Sequence, residues 1–285
     1  MRMPRFYTET LSSSESEFVL PDDVHRHAIQ VLRLKPGANI RLFNGGGMEY
    51  EAELTLVEKR HSRVRLGNAI ETQKESPLGI TLLQGVSRGE RMDFAIQKAV
   101  ELGVKKIVPV ITERCNVQLN GDRADKRFHH WRGVMISACE QSGRSFLPEL
   151  SPVQTLADVL SDYQDELNLV LDPLAETRFT ELSKPQSLTM LIGPEGGLAD
   201  SEVAMAKDTG YQAVQFGPRI LRTARAASAV WFSPQPAWPD GSRWSSCRYV
   251  NRLRGKEGTT YSVIAIVTRG VPRNRPLCLA MRSSA

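Results

Sequence analysis

The 285-residue chain has no run of about 18 uncharged apolar residues, so no membrane-spanning helix is expected. Its first residues, MRMPRFYTETLSSSESEF, lack an apolar core, so no secretory signal is expected either. There are only four cysteines, Cys115, Cys139, Cys247 and Cys278, and none stands in a CxxC pair. That spacing argues against a zinc ribbon and against a disulfide scaffold, and points to reduced thiols in the cytoplasm. His129 and His130 lie side by side with no third ligand at metal-site spacing, so no metal is expected. GxGxxG and Walker fingerprints are missing, and so are internal repeats.

A general excess of positive charge is also missing, although the net charge is +5. Residues 224–285 hold ten Lys/Arg against two Asp/Glu, whereas residues 1–223 hold 27 against 30. A nucleic-acid site in the main body must therefore rest on local arginine clusters, not on the global balance.

What is present is 41% apolar residues in two different grammars. Residues 1–70 alternate in short runs: Ile40 and Leu42, then Tyr50, Ala52 and Leu54, then Val64 and Leu66. Glycines 45–47 turn the chain between the first two, as in a small antiparallel barrel. Ahead of that barrel, Val24, Ala28, Val31 and Leu32 have helical spacing, stopped by Lys35-Pro36-Gly37. Residues 71–79 are polar and aperiodic and read as a linker. From residue 80 the pattern becomes α/β. ITLLQGV (80–86), VKKIVPVI, LNLVLD (167–172), SLTMLIG (187–193) and AVQFG (213–217) read as buried strands. Between them, Met92, Ala95, Ile96, Ala99 and Val100 mark one helical face ending at Gly103. Residues 125–141 make a longer helix, and SEVAMAKDTG a further one ending at Gly210. Strands alternating with helices predict a parallel sheet covered on both faces, over residues 80–232.

Five stretches are candidates for chemistry. LIGPEGG (191–197) ends a strand in glycines that let backbone approach a ligand; a plain turn capped by Asp200 or Ser201 is the alternative. FGPRILRT (216–223) is a second such corner, with Arg219 and Arg222 suited to phosphate or carboxylate; a solvated turn with snorkelling arginines is the alternative. CEQSGR gathers Glu140, Gln141, Ser142 and Arg144 at a helix end, where a glycine cap is the simpler reading. SRGERMDFAIQKAVELG places Arg88 and Arg91 at a strand-to-helix corner, with Lys98 and Glu101 on the helix flank. Near the start, Arg2, Arg5, Phe6 and Tyr7, then His25, Arg26, His27 and Arg33, interleave cations with aromatics, which suits RNA phosphates and unstacked bases; a plain charge-rich surface is the alternative.

In this order, RFY, HAIQVLRLKPG, QGVSRGERMDFAIQKAVELGVKKIVPV, ACEQSGR, LIGPEGG and FGPRILRT resemble the RsmE family of 16S rRNA uridine-N3 methyltransferases, of the SPOUT superfamily. The resemblance spans roughly residues 1–223. It implies a PUA-like RNA-binding β-barrel over residues 1–70 and an α/β methyltransferase domain over 80–232 whose parallel sheet carries a trefoil knot. It implies S-adenosylmethionine as methyl donor, 16S rRNA in the small ribosomal subunit as substrate, and a cytoplasmic homodimer. The donor would be held by Leu171, Ile192, Gly193, Pro194, Glu195, Gly196, Gly197, Phe216, Gly217, Pro218, Ile220, Leu221, Arg222 and Thr223. RNA would be met by Arg2, Arg5, Tyr7, Arg26, Arg33, Arg88 and Arg91. Glu195 and Glu101 are candidate bases, and Arg144 and Arg222 candidate stabilisers of negative charge on uracil.

The family pattern continues after Arg222-Thr223 with Glu-Thr-Ala and an apolar helix. Here Ala224-Arg225-Ala226 follows, and Pro234 stops any helix. Residues 233–285 are basic and rich in Pro and Arg, and three of the chain's four tryptophans fall in residues 231–244. That swing reads as out-of-frame sequence or as an added RNA grip, and leaves a non-catalytic RNA-binding protein as the alternative function.

Overall fold

The computed structural model describes residues 3–11, 16–72, 75–117, 119, 121–178, 182 and 185–215, and the backbone of 249–254 and 260–265. The chain divides into two compact units, Met1–Pro234 and Gln235–Ala285. In the second unit, β13 (Tyr249–Arg254) and β14 (Thr260–Ala265) pair antiparallel.

The first unit opens with a five-stranded sheet. It comprises β1 (Arg5–Tyr7), β2 (Glu17–Val19), β3 (Asn39–Phe43), β4 (Met48–Val57) and β5 (Ser62–Glu71), in the order β1-β3-β4-β5-β2. The alternating residues Ile40, Leu42, Tyr50, Ala52, Leu54 and Val64 face one core, joined by Phe6 and Phe18. The segment expected as an ordinary helix starts as α1 (Asp22–His25) and then widens into a π-turn, Arg26–Val31. There Leu32 donates to the carbonyl of His27 and Leu34 to that of Ala28, beyond α-helical reach. Arg33 follows at φ 53, a left-handed conformation that costs a non-glycine residue about 1–2 kcal/mol. The widened turn leaves Val31, Leu32, Arg26, His27 and Arg33 exposed while burying Ala28 completely.

The second sheet is parallel and has β6 (Gly79–Gly85), β7 (Lys106–Ile111), β8 (Glu149–Leu150), β9 (Gln154–Thr155), β10 (Leu167–Leu171), β11 (Ser187–Ile192) and β12 (Gln212–Val214). Its order is β12-β10-β11-β6-β7-β8, with β9 also on β7. Strands buried on both faces read as unbroken apolar runs, which is why they were visible in the sequence. Pro109, inside β7, lacks an N–H and sits where the outer neighbour is interrupted between β8 and β9.

One face of this sheet is covered by α2 (Glu90–Glu101) and α3 (Asp122–Ser142), the other by α4 (Leu156–Asp162) and α5 (Asp200–Asp208). The α2 stripe of Met92, Ala95, Ile96, Ala99 and Val100 is buried as its spacing predicted. Each of the larger of these side chains contributes about 1.5–3 kcal/mol by leaving water.

The two sheets are welded by a polar seam. Arg5 Nη1 donates to the carbonyls of Cys139 (2.8 Å) and Glu140 (3.1 Å), and its Nη2 to that of Arg144 (3.0 Å). The same guanidinium pairs with Glu49, which is wholly buried and also accepts from Ser145 Oγ at 2.5 Å. Arg144 in turn grips Glu75 through Nε (2.9 Å) and Nη2 (2.5 Å), and the carbonyls of Val100 and Val104 through Nη1. Tyr7 N–H donates to Glu140, and Arg132 lies over the Tyr7 ring. Burial pushes the Cys139 thiol up to about 12, so it is inert.

Two expectations are corrected here. Arg5 is not an RNA contact on the surface: it is 8% exposed and its guanidinium is engaged within the seam. Arg144, 4% exposed, is a structural clamp and not a free cation for catalysis. Between β5 and β6, in the stretch expected as a linker, Glu75 pairs with Arg144 and Ser76 is buried. CEQSGR ends α3 with Gly143 in the left-handed conformation, the simpler of its two readings.

Removing one partner of a buried ion pair strands the other. Arg5→Ala should lower the unfolding free energy by about 3–5 kcal/mol, whereas Arg26→Ala on the exposed turn should change it by under about 0.5 kcal/mol. Urea denaturation of both variants checks this; equal effects would refute the bracing role of Arg5.

Candidate functional site: the glycine corner at the sheet switch point

Strand order reverses at β6, which has β7 on one side and β11 on the other. Open parallel sheets bind ligands beyond the carboxyl ends of such strands. Three chain segments meet there: 85–91 after β6, 112–117 after β7 and 193–199 after β11.

Their backbones approach unusually closely. A Cβ on Gly85 would lie 2.5 Å from the Pro194 nitrogen and 2.8 Å from the Gly193 carbonyl carbon. A Cβ on Gly193 would meet Gly197 and Leu198 at 2.9 Å. Only glycine fits at either place. The corner closes with Gly197 N–H donating to the Pro194 carbonyl at 2.9 Å, and Gly197 has φ 73.

Glu195 latches this corner to the start of α2. Its Oε1 accepts from the Arg88 N–H (2.9 Å) and from Arg91 Nη1 (3.0 Å). Burial alone would raise its pKa. The Arg88 N–H, its own N–H and the Arg91 guanidinium outweigh burial and hold the carboxyl below the usual glutamate value. Arg114 clasps the other side, donating to the carbonyls of Gly196 (3.3 Å) and Leu198 (3.1 Å). Glu202, 7% exposed, accepts from Ala199 N–H and Glu113 N–H, both at 2.8 Å. It thereby caps α5 and ties it to the segment after β7, a task the sequence suggested for Asp200 or Ser201. Cys115 Sγ donates to the Val86 carbonyl at 3.3 Å.

Of the predicted donor-site residues, the structure brings Ile192, Gly193, Pro194, Glu195, Gly196 and Gly197 together, with Leu171 on the rim of the adjacent β10. Phe216, Gly217, Pro218, Arg219, Ile220, Leu221, Arg222 and Thr223 lie outside the described residues, as does Arg2. Arg88 is exposed beside the corner with no partner for its side chain among the described residues. Glu101 is not at the corner. It lies ten residues along α2 from Arg91, about 15 Å at 1.5 Å per residue, and pairs with Lys98 at 2.8 Å.

Sequence reading missed Gly85, Gln84, Arg114 and Glu202. Gln84 is wholly buried; its amide nitrogen donates to the Gly85 carbonyl at 3.0 Å, and its Oε1 has no partner among the described residues. The signals were a glycine ending a buried strand and a polar residue within it. The partners of Arg114, and the Glu113 N–H that Glu202 also accepts, are 82–89 residues away in sequence, so no local pattern revealed them.

The fold and corner thus define a small-ligand site on a parallel α/β domain fused to a β-rich module. A family model described as an RNA methyltransferase domain matches residues 74–232, and an RNA methyltransferase PUA domain matches residues 20–67. Ribosomal RNA small subunit methyltransferase E of Buchnera aphidicola (from Schizaphis graminum) is 33% identical over 231 residues, 80% of this chain and 94% of that protein. The enzyme of the same name from Neisseria gonorrhoeae, solved bound to S-adenosyl methionine, is 40% identical with TM-score 0.77, covering 85% of this chain and 100% of that one. A Legionella pneumophila methyltransferase solved with bound cofactor SAM gives TM-score 0.79 at 35% identity, over 81% and 96% of the chains. The chain belongs to this RNA methyltransferase family, and its fold is the SPOUT type with an N-terminal PUA domain.

Because the Glu195 pKa is lowered by folding, its stabilising effect is present above the unfolded value, about 4.3, and is lost as pH falls through the lower folded value. The wild type should exceed Glu195→Gln in unfolding free energy at neutral pH, and the two should converge in acid. Urea midpoints measured between about pH 2.5 and 7 would show it. A gap independent of pH would mean that the latch is not ionic.

Proposed function

We propose that the protein transfers a methyl group from S-adenosylmethionine to N3 of a uridine in 16S rRNA of the small ribosomal subunit. The observation that carries the reading is the latched glycine corner at the switch point, inside the segment matched by the methyltransferase domain. The corner suits the donor on two counts. The packing of Gly85 on Gly193 and Pro194 fixes the path of the corner, and Gln84 Oε1 is a buried acceptor without a partner among the described residues. Leu171, Ile192 and residues 193–197 would hold the donor, with the 216–223 corner as the second wall. Bound there, S-adenosylmethionine supplies an electrophilic methyl on a sulfonium.

The chain's own residues position and stabilise. Glu195 is an anion with two fixed donors on one oxygen and a depressed pKa, so it is a poor base near neutral pH and acts as a positioning residue. The uridine N3 proton must leave before the nitrogen has a usable lone pair. A cation beside the ring stabilises the charge that then spreads to the uracil oxygens, and Arg88 is placed at the corner to do so. Orientation supplies much of the remaining acceleration. Arg26 and Arg33, held out by the π-turn, are the RNA contacts that we propose on the N-terminal module. A cytoplasmic homodimer is part of the proposal, supported by the family resemblance and by exposed Phe94, Met205 and Leu174.

Small subunits lacking the modification, incubated with labelled donor and the full chain, should take up one methyl. Primer extension should then stop at one uridine, because an N3 methyl blocks base pairing. Label on a ribose, or none at all, would overturn the reading. A second reading, an RNA-binding protein without donor affinity, is favoured by Ala224-Arg225-Ala226 in place of the family's Glu-Thr-Ala. Absence of heat on donor titration, with RNA binding intact, would select it. Arg88→Gln should lower kcat about 10²-fold with donor affinity unchanged, as measured by single-turnover transfer and calorimetry.

A further inference from the structure

The body of the chain is slightly acidic, yet one face of α3 is not. Arg123, Lys126, Arg127 and His130 fall at i, i+3, i+4 and i+7 and form a single stripe along the helix. Together with Val117 and Leu119 they line an open groove of about 470 Å³. All four cationic or titratable side chains are exposed, and Val117 and Leu119 are half-buried against the methyltransferase core. Among the described residues Arg123, Lys126 and Arg127 have no ion-pair partner, and His130 meets Asp93 of α2 at 2.9 Å. The nearby acids on the helix are Asp122, beside the stripe, and Asp125, turned away from it by the 100° step per residue.

The corner and the groove draw on neighbouring positions of one stretch of chain. Arg114 holds Gly196 and Leu198 and Cys115 holds Val86 at the corner, while Val117 and Leu119 line the groove. Leu119 is five positions beyond Arg114, at most about 18 Å of extended chain. Neighbouring side chains of the stripe stand about 5–6 Å apart, and the stripe rises about 10 Å. That is the length of roughly three phosphates of a stacked strand, at about 3.4 Å each. A cationic row beside an apolar wall fits a single-stranded polynucleotide, whose phosphates meet the row while riboses and base faces meet Val117 and Leu119.

We infer that this α3 groove is a second RNA-binding surface, separate from the N-terminal module, which holds single-stranded rRNA flanking the target nucleotide as it enters the corner. The inference rests on the rRNA substrate proposed above. Each phosphate contact to a single strand contributes about 0.7 to the slope of log K against log salt.

The test uses the full chain, the triple variant Arg123→Gln/Lys126→Gln/Arg127→Gln, and the single variant Lys126→Glu. Binding to small subunits lacking the modification is measured from about 50 to 200 mM salt, with donor affinity and thermal melting as controls. The triple variant should bind about tenfold or more weakly at the middle of that range, with a slope shallower by about 2. Lys126→Glu should bind severalfold more weakly, and donor affinity and melting should be unchanged in both. Wild-type affinity and slope in both variants, while the wild type itself binds subunits, would overturn the groove and leave the function standing. A wild type that neither binds nor methylates subunits would overturn the function, and the groove with it.

Discussion

The candidate site depends on one steric constraint, the contact of backbone with backbone where Gly85 passes Gly193 and Pro194. Two adjacent parallel strands end there, and the chain leaving β11 folds over the end of β6 instead of turning away. A Cβ at 2.5 Å from the Pro194 nitrogen is incompatible with that path. Because the path is fixed, Glu195 lies within hydrogen-bond reach of the Arg88 N–H. Because the corner is then anchored, Arg114 can hold its two carbonyls from the far side and Glu202 can bridge α5 to the segment after β7. The polar contacts are consequences of a close packing that only glycine permits.

A second constraint joins the modules. Glu49 is wholly buried and pairs with Arg5 of its own sheet, and across the seam the carbonyls that end α3 accept from Arg5 while Ser145 donates to Glu49. Arg144 repeats the device with Glu75 and two carbonyls of α2 and its following turn. Such pairs are expensive to bury and more expensive to break, so they specify one relative placement of the N-terminal sheet and the methyltransferase sheet. An RNA held by both modules is therefore presented at a set distance from the corner.

The elements that bury a continuous or helically spaced apolar face were legible in the sequence. The β6, β10 and β11 strands, the α2 stripe and the caps at Gly103 and Gly143 follow from short-range pattern alone. The resemblance added the corner at residues 191–197, which glycine content alone left open between a ligand loop and a plain turn. The fates of the arginines were not legible. Arg5 and Arg144 hydrogen-bond to residues 40 to 140 positions away, whereas Arg26, Arg33 and Arg88 remain exposed, and composition treats all five alike. The π-turn was hidden for a different reason, since its side-chain spacing differs little from that of an α-helix over six residues.

The same distinction decides what Glu195 can do. A general base needs a lone pair directed at the proton it removes and a pKa near the working pH. Glu195 directs one oxygen at two donors that the fold holds in place, one a main-chain N–H and the other a guanidinium. Protonation would weaken both hydrogen bonds, so its affinity for a proton is low for the same reason that its grip on the corner is strong. On the proposed reading, a carboxylate in that position serves transfer by holding the corner next to the exposed Arg88 side chain. The positive charge that we propose at the uracil ring would come from the helix start, while the negative charge stays in the frame.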